Sequence, residues 1–206
     1  MEIGKALLLN YTEYARYALG RTSMRLFIGI KFESTIRTKL VDIQNQLRAG
    51  TLKGNFTHEG NLHLTVEFLG ELPSSRLPAI QAAMRKVEVP RFELVFDQVG
   101  SFRRAGKDIV WLGVRHNPNL QKLQGDLAAA LRQKDFKLEN RPYTPHLTLA
   151  RQVVFRDGPS RNRSLGKIPA VGVQVRSISL MNSERVDGEL TYTELFAHPL
   201  PSPAID

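Results

Sequence analysis

The chain has 206 residues, 42% of them hydrophobic and 24% charged, with 29 Lys and Arg against 20 Asp and Glu and no cysteine. This is enough apolar sequence for one substantial core and argues against disorder, while the missing thiols exclude disulfide frameworks, thiolate metal sites and cysteine nucleophiles and point to the reducing cytoplasm. A formal charge of +9 favours a polyanionic partner such as RNA, DNA or an anionic surface; no stretch has the length of a membrane span, and the first ten residues read as no targeting signal.

Residues 1–23 carry Tyr11, Tyr14 and Tyr17 with little periodicity. They read either as an extension ahead of a start at Met24 or as a short helix, TEYARYALG, packed on a domain that spans residues 24–206. From Met24, MRLFIGIKF is a strand. Ser34 then stands at an N-cap position before a helix whose Ile36, Leu40, Ile43 and Leu47 share one face, with Gly50 past its end. NLHLTVEFLGEL predicts a strand, SSRLPAIQAAMRKVE a helix, and RFELVFDQVGSF with DIVWLGVR two strands joined by the basic turn RRAGK. The order to this point is β-α-β-α-β-β. NPNLQKLQGDLAAALRQKD predicts a helix capped at Asn117 or Asn119, and after a turn over residues 141–145 comes the strand HLTLARQVVF. RDGPSRNRSLGKIPA is a polar, basic loop, and VQVRSISLMNSE with LTYTELFAHPL reads as a hairpin turning at RVDGE.

Two of these strands open on the same word, HLTV from His63 and HLTL from His146. By ordinary residue usage the repeated four-residue word is rarer than a single His-x-Thr tripeptide by at least roughly a thousandfold. Residues i and i+2 of a strand share a face, so His63 with Thr65, and His146 with Thr148, reach one surface while Leu64 and Leu147 enter the core. Each half supplies a helix and then such a strand. The expected fold is therefore α+β and bilobal, two pseudo-symmetric lobes whose antiparallel sheets form a central cleft with helices outside.

Two imidazoles converging on one substrate are the minimal equipment for concerted acid–base catalysis, one taking a proton from water and the other giving one to a leaving oxygen. The Thr hydroxyls suit the oxygens on which charge builds. Phosphodiester cleavage fits this set without a metal, and with no cysteine and no acidic residue matched in both motifs neither a zinc site nor another cofactor is expected. His58, His116 and His198 lack the Thr partner and read as surface or loop residues.

With these motifs, the chain resembles the two-histidine phosphoesterase superfamily and, within it, the bacterial and archaeal RNA 2′,3′-cyclic phosphodiesterases once described as 2′-5′ RNA ligases of the LigT type. The likeness runs through MRLFIGIKF, NLHLTVEFLGELP, RFELVFDQVGSF, VWLGV, RPYTPHLTLAR and SISLMNSE, nearly all of the chain after residue 23. It implies hydrolysis of 2′,3′-cyclic phosphates on RNA or nucleotides, with His63 protonating the departing ribose oxygen, His146 activating water, and Thr65 and Thr148 holding the phosphate. It also implies a basic contact at Arg151 and aromatic contacts near the nucleoside at Phe27 and Phe68. Strict alternation places Arg151 and Phe68 on the face opposite the histidines, so each needs a bulge or a strand end to reach the cleft. Tyr143 either stacks on a base or braces the turn before Pro145, and the basic loop 156–167, departing from the compact connection of the family, is an RNA-contacting flap or a solvated insertion. A cytoplasmic monomer without membrane association is the expected form. The alternatives are a member of the superfamily acting on another cyclic phosphate or oligonucleotide, and a non-catalytic nucleotide- or RNA-binding module, which the intact histidines of both motifs argue against.

Overall fold

The computed structural model describes residues 23–104, 107–156 and 168–203. The readings of the segment 1–23 and of the basic loop 156–167 thus fall, but for Ser23 and Arg156, outside the described residues. Strand β1 (Met24–Lys31) buries Leu26, Ile28 and Ile30 on one side. Helix α1 (Ser34–Ala49) buries Leu40, Ile43 and Leu47 as its periodicity requires and closes at Gly50. Its N-cap is Glu33 rather than Ser34, which opens the first turn and accepts the Thr38 hydroxyl through its carbonyl. An unforeseen strand, β2 (Thr51–Phe56), follows. TLKGNF carries no apolar alternation because β2 is the outermost strand of its sheet and exposes most of its side chains.

β3 (His63–Leu72) leads through a 3₁₀ turn into helix α2 (Leu77–Met84), then β4 (Phe92–Arg104) and β5 (Lys107–Val114). Helix α3 (Pro118–Arg132) is capped by Asn117, whose side chain accepts the Leu120 N–H at 3.0 Å, and β6 (His146–Phe155) follows. The stretch read as one strand, VQVRSISLMNSE, breaks at Arg176 into β7 (Val171–Val175) and β8 (Ser177–Val186), because the chain changes sheets there. β8 and β9 (Glu189–Pro199) form the expected hairpin. Its loop residues Asp187 and Gly188 both have positive φ, 51° and 84°, the combination that matches the twist of a tight hairpin.

The strands form two antiparallel sheets, ordered β3-β1-β8-β9 and β2-β6-β5-β4-β7. Four strands of the second repeat the first position by position, β6 for β3, β5 for β1, β4 for β8 and β7 for β9, with β2 added outside β6. This is the pseudo-symmetric, two-lobed α+β fold. β3 and β6, the strands that begin with the repeated word, come side by side. One continuous apolar core joins both sheets and all three helices, with Phe32 and Phe96 meeting edge to face at 5.8 Å. Leu64 and Leu147 are fully buried in it, contributing about 1.5–3 kcal/mol each. That burial fixes the register that turns their His and Thr neighbours to the other face.

Candidate active site

Both motif histidines are held in the same way. The Nδ1–H of His63 donates to the carbonyl of Asn61 at 2.7 Å, and that of His146 to the carbonyl of Thr144 at 2.8 Å, in each case two residues upstream. A carbonyl only accepts, so each Nδ1 carries the proton and each Nε2 faces away from the backbone, toward the cleft. Nε2 of His63 lies 3.0 Å from the Thr65 hydroxyl. Asn61 is itself fixed, its amide donating to the Leu190 carbonyl at 2.7 Å. Burial pushes the His63 pKa below the usual imidazole value, an effect that the Asn61 carbonyl opposes and the charges of Arg151 and His146 reinforce. Arg151 and His146, both on β6, are therefore near enough to His63 on β3 for their charges to act on it.

Arg151 and Phe68 reach this face through the same device in the two lobes. Along β3, Ile28 pairs with Glu67 but Gly29 pairs with Thr65, so Val66 is an extra residue. Along β6, Val110 pairs with Ala150 but Trp111 pairs with Thr148, so Leu149 is extra. Both members of each bulge, Val66 with Glu67 and Leu149 with Ala150, are buried, and the next residue, Phe68 or Arg151, is returned to the side of the His and Thr. Each bulge is tied down by a glutamine from the other half's helix. Gln44 of α1 donates to the Leu149 carbonyl at 2.8 Å and Gln124 of α3 to the Glu67 carboxylate at 2.9 Å. Burial raises the Glu67 pKa, and the hydrogen bond from Gln124 opposes that. The two halves thus clamp each other's motif strand.

Aromatic rings surround both imidazoles. Phe27 lies 4.7 Å from His63 and stacks on Phe68 at 6.2 Å, while Tyr192 of β9 meets both Phe27 and His63 edge-on, at 5.0 and 5.1 Å. Phe27 is only 1% exposed, so it forms a floor under His63 and has no face left for a base; Phe68, 37% exposed, stays partly open, with the Arg25 guanidinium 5.5 Å from its ring centre. Tyr143 braces, its hydroxyl donating to the Thr65 carbonyl at 2.9 Å and so tying the turn before β6 to β3. On the other side Trp111 and Phe102 flank His146, at 6.3 and 5.6 Å. Trp111 lies flat on Gly100, where a Cβ would stand 2.2 Å from the indole. Gly100→Ala should therefore displace the ring and destabilise the fold by about 1–3 kcal/mol, measured by thermal melting together with a shift in the emission of Trp111; an unchanged spectrum would show that the ring does not rest on Gly100.

The remaining histidines lie elsewhere. His58 caps the 3₁₀ turn before β3 by accepting the Gly60 N–H, His198 contacts the Val87 carbonyl, and His116 is exposed. Among the described residues no three His, Asp or Glu side chains converge as metal ligands, and no helix is long and apolar enough to cross a membrane.

A family model described as the 2′-5′ RNA ligase superfamily matches residues 32–187, both motif strands included. The chain belongs to that superfamily. It is 30% identical over 129 residues to the RNA 2′,3′-cyclic phosphodiesterase of Archaeoglobus fulgidus, covering 62% of this chain and 72% of that protein. With the Escherichia coli protein of the same name it shares 31% over 128 residues, 62% of this chain and 71% of that one. The crystal structure of E. coli LigT in apo form superposes with a TM-score of 0.71 at 27% identity, over 88% of this chain and all of that one, and LigT complexed with 3′-AMP with 0.68 at 26%, over 87% and 99%.

Tyr192, Phe102, Trp111, Gln44 and Gln124 escaped the sequence reading. Each reaches the site or its bulges from a distant element, and none belongs to a local pattern that sets it apart from a strand aromatic or a helix-surface amide.

Proposed function

We propose that this superfamily member hydrolyses 2′,3′-cyclic phosphate ends of RNA to 2′-phosphates without a metal, His63 serving as proton donor and His146 as proton acceptor. The observation that carries the reading is the matched pair of imidazoles, each with Nδ1 locked by a carbonyl and Nε2 presented to the cleft, with the Arg151 charge beside them. Water attacks phosphorus as His146 takes its proton, the P–O3′ bond breaks as His63 protonates O3′, and Thr65, Thr148 and Arg151 balance the charge on the equatorial oxygens. With a 5′-hydroxyl in place of water, the same transfers form a 2′–5′ phosphodiester, the ligation for which the superfamily is named. The relatives named RNA 2′,3′-cyclic phosphodiesterase support this substrate over other cyclic phosphates, and the paired imidazoles favour turnover over binding alone. The reading assigns the activity to residues 24–206, acting as a monomer in the cytoplasm, where a chain without cysteine meets no redox difficulty.

In the free protein burial holds His63 toward its neutral form. An anionic phosphate between the imidazoles opposes the push of Arg151 and His146 and restores the proton. Purified protein, a 2′,3′-cyclic nucleotide and EDTA test the proposal. Hydrolysis should persist under chelation, phosphorus NMR should show a 2′-phosphate, and the alkaline limb of kcat/KM, which reports the free protein, should fall at a lower pH than an ordinary imidazole gives and at a lower pH than the limb of kcat, which reports the complex. A 3′-phosphate product would exchange the two histidine roles, and activity lost to EDTA and restored by a divalent metal would remove the metal-free mechanism.

A further inference from the structure

The two flanks of the site differ in what they leave open. Beside His63, Tyr192 and Phe68 cover Phe27, and Phe68, with the Arg25 guanidinium 5.5 Å from its ring centre, is the ring left partly exposed. Beside His146, Phe102 is 43% exposed near the end of β4, its ring 5.1 Å from Trp111 at an interplanar angle of 32° and edge-on to the imidazole at 85°. Trp111 lies across two glycines, Gly100 on β4 and Gly113 on its own strand, whose Cβ positions would fall 2.2 and 3.1 Å from the indole. The sheet carries no side chain beneath the indole at those two places, so the ring is pressed onto backbone and Phe102 is propped against it. Such a platform is rigid, costs a ligand little ordering entropy, and presents the face on which a nucleobase stacks without regard to its identity.

We propose that Phe102 and Trp111 form a second nucleobase subsite on the His146 side of the reacting phosphate. This rests on the cyclic phosphodiesterase reading, in which the attacking oxygen sits beside His146. A nucleoside whose base lies on Phe102 would carry its 5′-oxygen to the place that water takes in hydrolysis. Phe68 serves the nucleoside that holds the cyclic phosphate, so exposed rings bracket the phosphorus, and the ligand that fills both flanks is a 2′–5′-linked dinucleotide. Lys107, exposed on the same hairpin, and the net charge of +9 suit the phosphates of a longer strand.

Trp111 is the sole tryptophan, so its fluorescence reads the subsite directly. Titration of the full chain with 2′–5′-linked adenylyl-adenosine and with 2′-AMP should show the dinucleotide quenching the indole and binding about tenfold tighter. Phe102→Leu should erase that advantage and Phe102→Tyr keep it. Equal affinity of the wild type for the two ligands would overturn the proposal, as would a Phe102→Leu variant that weakens both alike, since the ring would then only support His146. It would also be overturned if Phe102→Leu raised the KM of a 3′–5′-linked oligonucleotide with a cyclic end while the 2′–5′ dinucleotide kept its advantage, because the ring would then serve the penultimate nucleotide. Binding is read without turnover, so a dinucleotide advantage in a protein that hydrolyses no cyclic phosphate would uphold the subsite and sink the phosphodiesterase reading instead.

Discussion

Replacing His63 or His146 by Ala should lower kcat for a 2′,3′-cyclic nucleotide by at least about a hundredfold, because each substitution removes one of two proton transfers that occur in the same step. The loss should be chemical rather than structural. Each imidazole makes one hydrogen bond to a carbonyl of its own turn, Asn61 or Thr144, and His63 a second with the Thr65 hydroxyl, a loss of about 1 kcal/mol for each bond. His63→Ala also uncovers part of Phe27 and should lower the melting temperature more than His146→Ala, whose partners Phe102 and Trp111 still rest on each other. Since the two imidazoles act as a unit, the double variant should turn over little more slowly than the poorer single one. Steady-state kinetics beside thermal melts separate these effects. Near-native turnover in either single variant would take that histidine out of the mechanism, and multiplicative losses in the double variant would mean two independent steps.

Much of this site was written in short-range pattern. The repeated word fixes which side of each strand bears the His and Thr, since Leu64 and Leu147 have only one place to go once a core exists. Alternation also identifies Phe68 and Arg151 as residues that need a bulge, and both bulges are present. What alternation does not locate is the bulge itself. It depends on Gln44 and Gln124 arriving from the helix of the opposite half, a long-range event. For the same reason Phe27, placed near the nucleoside by the family resemblance alone, could not be read as a covered ring, because Tyr192, which closes over it, comes from the last strand. β2 was missed since an outer strand need not alternate, and the break at Arg176 since both sides of it are apolar strand sequence and only the partner strands differ.

Arg151→Met should reduce kcat roughly ten- to a hundredfold, the range expected when one group stabilising transition-state charge is removed from a site that keeps its acid and base. It carries a second signature that a merely structural residue would lack. The Arg151 charge is one of the influences holding the His63 pKa down, second to burial among those that lower it, so removing it should move that pKa up, as proton NMR of the imidazole would register. The sign matters. With His63 as donor, a higher pKa extends the charged form to higher pH, so the alkaline limb of kcat/KM should shift upward in the variant while its plateau falls. Were His63 the base, the same substitution would instead push the acidic limb upward. Arg151→Lys then separates charge from shape, because an ammonium restores a positive charge beside His63 but cannot offer the planar pair of donors that engages two phosphate oxygens at once. It should bring the pKa most of the way back and leave kcat low. If Lys restores both, a point charge is all the site needs from residue 151; if Met changes neither, the bulge at Leu149 and Ala150 serves packing alone, and the phosphate is held by the two threonines without the arginine.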